Sequence, residues 1–211
     1  MGSISALITL AANGSVAAET VVCSESRVPL EIAGNTLCLL SSAMPYIGWD
    51  KDGQVQYLTW SHPERLPSGA KLPPGVFHLT LELGQITIPS MDTTNPSELP
   101  EMREAKEEHI ASKRLFPTTK RFYPLHAHLN GQPFSVECRD PINPEHARKG
   151  GQDCQIDAPF MKGVRINVHF GTVIWGQEPA WPRLDENWNQ TWPPYLDDLG
   201  ATITKLTFHA R

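Results

Sequence analysis

Phe77-His78-Leu79-Thr80-Leu81-Glu82-Leu83 alternates apolar and polar residues with a period of two. Successive side chains of a strand point to opposite faces. The run therefore predicts a half-buried strand with Phe77, Leu79, Leu81 and Leu83 inward and His78, Thr80 and Glu82 outward. Val164-Arg165-Ile166-Asn167-Val168-His169-Phe170 repeats the pattern, with Arg165, Asn167 and His169 on the wet face. Residues 121–129 and 133–138 flank Asn130-Gly131, a dipeptide suited to type I′ turns, and predict a hairpin. Residues 43–49 and 54–60 flank Lys51-Asp52-Gly53 and predict a second. The β-branched run Thr202-Ile203-Thr204-Lys205-Leu206-Thr207-Phe208 reads as a further strand.

Two segments read as helical. Asn95-Pro96-Ser97-Glu98 resembles a helix start, and helical composition continues to about residue 114. Leu99, Met102, Ala105, His109 and Ile110 form a thin apolar stripe, with acidic and basic residues over the rest. A short second helix is expected over residues 193–199, stopped by Gly200. Residues 61–75 and 139–160 read as loops rich in Pro, Gly and charge. The expected class is α+β: mainly antiparallel β, sandwich-like, with one polar helix around 96–114 and a short C-terminal helix.

The 211 residues, 40% apolar and 19% charged, suit one globular domain, taken as residues 19–211. The net charge of −5 offers no basic footprint for nucleic acid. Residues 1–100 hold 4 basic and 9 acidic side chains, whereas residues 101–211 hold 14 of each. The acidic excess therefore lies in the first half, either as solubility or as a face for a basic partner. The 19 prolines exceed the usual ~5% and point to rigid turns and short strands.

Ile4 to Ala12, ending near Val16-Ala17-Ala18, reads as the apolar core and cleavage site of a signal peptide over residues 1–18, although no Lys or Arg precedes it. The rival reading is a hairpin around Asn13-Gly14. No run approaches the ~18–20 apolar residues of a membrane span. Export makes paired cysteines the default. Four cysteines allow three pairings, and near-neighbour pairing, Cys23–Cys38 with Cys138–Cys154, is expected. No two are close enough for the ligand pairs of a structural zinc site.

Chemistry is sparse. His126 and His128, placed on one face of a predicted strand, form a half-site for a metal or simply a solvated pair. No serine-nucleophile, phosphate-loop or zinc-protease motif occurs, and no cofactor is expected. Glu107-Glu108, Asp185-Glu186 and Asp197-Asp198 are adjacent acids, which cannot face each other across a glycosidase cleft. Trp175, Trp181, Trp188, Trp192 and Tyr195 gather among prolines. They either present rings to a ligand or plug the end of a β core.

An export-type start, then Val28-Pro29-Leu30-Glu31-Ile32-Ala33-Gly34-Asn35-Thr36-Leu37-Cys38, strands, a polar helix and a Trp-rich end together resemble the small periplasmic immunity proteins of bacterial type VI secretion systems. The resemblance implies a non-enzymatic inhibitor that occludes a cognate toxin, and it assigns no residue roles. The contacts expected on that reading are Asp50 and Asp52 on a turn, Glu101, Glu104 and Glu108 on the helix, and Trp181, Trp188 and Trp192 near the end. Two other readings remain: a cell-envelope carbohydrate- or peptide-binding module using the Trp-rich end, and a metal-dependent hydrolase using His126 and His128.

Overall fold

A computed structural model describes residues 23–61, 72–89, 91–110, 119–142, 144–172 and 181–209. The expected signal peptide or hairpin at residues 1–18, and Trp175, lie outside them. The strands are β1 (Arg27–Ile32), β2 (Asn35–Leu40), β3 (Tyr46–Trp49), β4 (Val55–Ser61), β5 (Val76–Leu83), β6 (Thr94–Pro96), β7 (Met102–Ala105), β8 (Arg121–Pro124), β9 (Ser135–Arg139), β10 (Asp153–Met161), β11 (Val164–Gly171) and β12 (Thr207–His209). The helices are α1 (Pro144–Arg148), α2 (Trp188–Thr191) and α3 (Pro193–Leu206). Among the described residues nine strands form one antiparallel sheet, in the order β3-β4-β5-β11-β10-β9-β8-β7-β6, and β1-β2-β12 form a second.

The two alternating runs, β5 and β11, pair at the middle of the large sheet. Leu79, Leu81, Val164, Ile166, Val168 and Phe170 are buried on its inner face. They share one core with Leu37 and Leu39 of the small sheet and with Leu196, Leu199, Ile203 and Leu206 of α3. The small sheet and α3 thus cover one face of the large sheet. Phe77 departs from the alternation: a bulge pairs Phe170 with Val76, so Val76 is buried and Phe77 stays 38% exposed.

The Lys51-Asp52-Gly53 turn joins β3 to β4 as the pattern implied. The Asn130-Gly131 turn also holds: both residues have positive φ, 52° and 72°, and Leu129 bridges Gln132. The hairpin strands are shorter than expected, because β8 stops at Pro124.

The polar helix expected around 96–114 is a correction. Residues 94–105 form the β6–β7 hairpin, Glu107–His109 one turn of 3-10 helix, and 111–114 lie outside the described residues. Ser97 Oγ accepts from the Leu99 N–H at 3.1 Å and closes a turn instead of capping a helix. Pro100 has no N–H to donate, and Glu101 sits at φ 56°. The thin apolar stripe could not supply the packing that stabilises a short helix.

Two further expectations are revised. Helix α3 runs through Gly200 to Leu206, so the strand expected at 202–208 is reduced to β12. Leu196, Leu199, Ile203 and Leu206 recur at helical spacing and are all buried, which overrides the β-propensity of Thr202 and Ile203. Within the loop expected over 139–160, β10 is a central strand despite Asp157 and Pro159. Its ladder with β11 shifts register after Pro159, where the missing N–H would otherwise break it.

Both disulfides form as expected. Cys23 joins Cys38 on β2, and Cys138 joins its direct cross-strand neighbour Cys154. They are consistent with an oxidising compartment, extracellular or periplasmic. Among the described residues no helix is long and apolar enough to cross a membrane.

Candidate functional site

The residues opposite the core face line up in rows across the large sheet, because register partners point the same way. One row runs Arg121, Glu137, Gln155, His169, His78, Ser61 from β8 to β4. The next runs Ser135, Asp157, Asn167, Thr80, Thr59, Tyr46 from β9 to β3. Sequence alternation marks this face as polar but not as buried. Yet Arg121, Glu137, Gln155, Asp157 and Asn167 are all buried.

What covers them is the long excursion after β5. Ile88 from that excursion packs on Ala105, Ile110 and Tyr123 in a small second core. Between excursion and sheet lies a cleft of about 460 Å³ lined by Thr87, His109, Arg121, Tyr123, Gln155, Asp157 and Arg165 among others.

Charge in the cleft is largely matched. Arg121 Nε donates to Glu137 Oε1 at 2.6 Å, and its Nη2 lies 3.8 Å from Asp157 Oδ2. Asp157 also accepts from Gln155 Nε2 at 2.8 Å and Asn167 Nδ2 at 2.6 Å. Arg165 Nη2 pairs with Glu82 at 2.9 Å. Burial works to lower the Arg121 pKa, but the Glu137 and Asp157 carboxylates outweigh it and hold the group above its ordinary value. Burial raises the Tyr123 phenol, with Arg121 pulling the other way. Burial lowers His169, His78 lowers it further, and Asp157 opposes both. At neutral pH the cleft therefore holds a guanidinium and a phenol, with a neutral imidazole in the same row.

Three polar atoms of the lining stay unmatched among the described residues: Gln155 Oε1, Arg165 Nε and His109 Nε2. A buried polar atom without a partner costs roughly 1–3 kcal/mol. No local pattern marks this group, since its three members come from three separate segments, the 107–109 turn, β10 and β11.

A second surface lies at the β3 edge. Among the described residues β3 has a neighbouring strand on one side only. Tyr46 is 68% and Trp49 55% exposed there. Tyr57 of β4 crosses Gly48 so closely that a Cβ at Gly48 would run into its ring, and its centroid lies 6.1 Å from that of Tyr46. Trp49 walls a groove of about 450 Å³ with Pro29, Leu30, Val55 and Leu83, and Glu31 at its side.

The expected contact residues scatter. Asp50 is spent on its turn: Oδ1 accepts from the Asp52 and Gln54 N–H groups and Oδ2 from Gln56 Nε2. Asp52 is exposed on the turn that follows Trp49. Glu104 pairs with Lys120 at 3.0 Å, and Glu108 stands at the rim of the polar cleft. Glu101 shares a depression of about 290 Å³ with His126 and His128. The two histidines are exposed on an irregular segment, not on the expected strand, and His128 Nδ1 lies 2.9 Å from the His126 carbonyl. Among the described residues no three His, Cys, Asp or Glu side chains are placed to hold a metal.

The tryptophans are a correction. Trp181, Trp188 and Trp192 are at most 1% exposed and cannot meet a partner in this fold. Trp181 and Trp192 pack on Phe170, with centroids 4.4 and 5.6 Å away. Trp192 Nε1 is shared by the Pro182 and Arg183 carbonyls, and Trp188 Nε1 donates to Pro100. These rings close the end of the core. Comparisons with protein-family models, with curated proteins and with solved structures find no match to this chain.

Proposed function

We propose that this chain is an exported binding protein that occludes a protein partner, as a periplasmic immunity protein blocks a toxin. The carrying observation is the β3 edge, where Tyr46 and Trp49 stand exposed on a strand with a free outer side among the described residues. Trp and Tyr dominate interface energetics, and natural proteins seldom leave an aromatic edge strand open. The occupant is an extended segment of the partner added alongside β3. One apolar side chain would enter the Trp49 groove, and a basic residue would meet Asp52 and Glu31.

Affinity co-purification from native cells tests this. The wild-type chain should retain a stoichiometric protein and suppress that protein's own activity. The Tyr46→Ala/Trp49→Ala variant should release it and restore the activity. Equal retention by the folded double variant, or recovery of a small molecule with no protein partner, would overturn the proposal.

A further inference from the structure

We infer that the polar cleft lined by residues 85–89 and His109 binds a small zwitterion, an amino acid or a dipeptide with a free ammonium and a free carboxylate. The inference is independent of the β3 edge and of any protein partner.

The orientation of Gln155 is fixed by chemistry. Asp157 Oδ2, an acceptor only, takes the Gln155 amide N–H at 2.8 Å, so the group left over must be the carbonyl Oε1. Gln155 is 91% buried, being 9% exposed, and this oxygen has no donor among the described residues. A ligand here must bring an N–H or O–H. Two carboxylates, Glu137 and Asp157, stand here against the single Arg121 guanidinium, and the excess negative charge favours a cationic donor.

The other unmatched group has the opposite demand. Arg165 spends Nη2 on Glu82, while Nε, a donor that never gives up its proton in a protein, lacks an acceptor among the described residues. A carboxylate suits it best. His109 Nε2, 3.8 Å from Glu108 Oε1 and without a hydrogen bond, takes either role.

The two demands are also separated in space. Gln155 is the register partner of His169, and Arg165 lies four residues back along β11 on the same face, about 14 Å at ~3.4 Å per residue. Both side chains nonetheless line the one cleft, so a ligand that fills it meets both. The cleft, about 460 Å³, holds such a molecule with room for a side chain.

Calorimetric titration of the folded, oxidised protein tests this. The probes are the twenty L-amino acids and a set of glycyl dipeptides, each repeated as its N-acetyl and its C-amide form, with glucose as the neutral polyol. At least one zwitterion should bind. Blocking either terminus, and Gln155→Met or Arg165→Lys in folded protein, should each weaken binding by about tenfold or more. In the unmutated protein the bound zwitterion should shift the Gln155 side-chain amide resonance, a readout that survives if either variant fails to fold. Trp49→Ala should leave the titration unchanged. The inference falls if no zwitterion binds, if blocked forms or glucose bind as well, or if the Gln155 resonance does not move.

Discussion

Glu137 is an acid that the fold buries completely, and Arg121 is what makes that tolerable. The two side chains are 2% and 10% exposed and meet at 2.6 Å. Removing one partner of a buried pair strands the other charge, at a typical cost of about 3–5 kcal/mol. Arg121→Met should therefore lower unfolding stability by that order in urea titration, since it also takes the nearby cation from Asp157. Lys120→Met also removes a direct ion pair, to Glu104 at 3.0 Å, but Lys120 is 66% exposed and the loss should stay below about 1 kcal/mol. Similar losses would mean that burial does not set the value of these contacts. His169 makes a second prediction at this scale. Its folded pKa is lowered, mainly by burial and then by His78, so below the ordinary value near 6.5 the unfolded chain binds the extra proton. The stability from a neutral His169 is fully present above that pH and is lost as pH falls through the folded pKa. Melting temperature should decline between pH 7.5 and 5, and His169→Gln should flatten the decline. An identical slope in the variant would show that His169 does not drive it.

At the level of elements, local pattern succeeded where burial is one-sided and failed where tertiary packing decides. Strands β5 and β11 were legible because their apolar residues alternate over Leu79–Leu83 and Val164–Phe170. Strand β10 was hidden because Gln155, Asp157 and Pro159 look like loop chemistry, and only the covered polar face gives them a place in a central strand. Gly200, a residue that usually ends helices, lies inside α3. Its role here is clearance: a Cβ at Gly200 would meet Asn130 Oδ1 at 2.8 Å, on the turn between β8 and β9. Ala is favoured over Gly within a helix by up to about 1 kcal/mol. Gly200→Ala alone should gain little or lose, because Asn130 must move. Asn130 has φ 52°, a conformation that Gly adopts freely, so Asn130→Gly removes the obstacle without straining the turn. In that background Gly200→Ala should stabilise by nearly the full propensity difference. A double-mutant cycle read by thermal melts checks it, and strict additivity would refute the contact. The polar cleft could not be read from sequence for a related reason: Gln155, Arg165 and His109 belong to patterns that each look complete alone.

Across the whole molecule the two disulfides separate chain entropy from packing. Their spans are nearly equal, 15 and 16 residues, so the chain-entropy model gives each about 3 kcal/mol. Their settings differ. Cys23 precedes β1 and ties a flanking segment to β2, while Cys38 lies outside the main core cluster. Cys154 belongs to that cluster, Cys138 packs against it, and the two are direct partners on β9 and β10. Removing that bridge loses the cross-link and also opens space in the core that joins the large sheet to the small sheet and α3. Cys23→Ala/Cys38→Ala should lower the melting temperature by about 6–12 °C, from ~2–4 °C per kcal/mol in a protein of this size. Cys138→Ala/Cys154→Ala should lower it further, because cavity formation adds to the lost constraint. Equal shifts in the two double variants would mean that loop closure alone accounts for both bridges. A larger loss from the first pair would place the weak point at the small sheet, and with it the wall of the Trp49 groove.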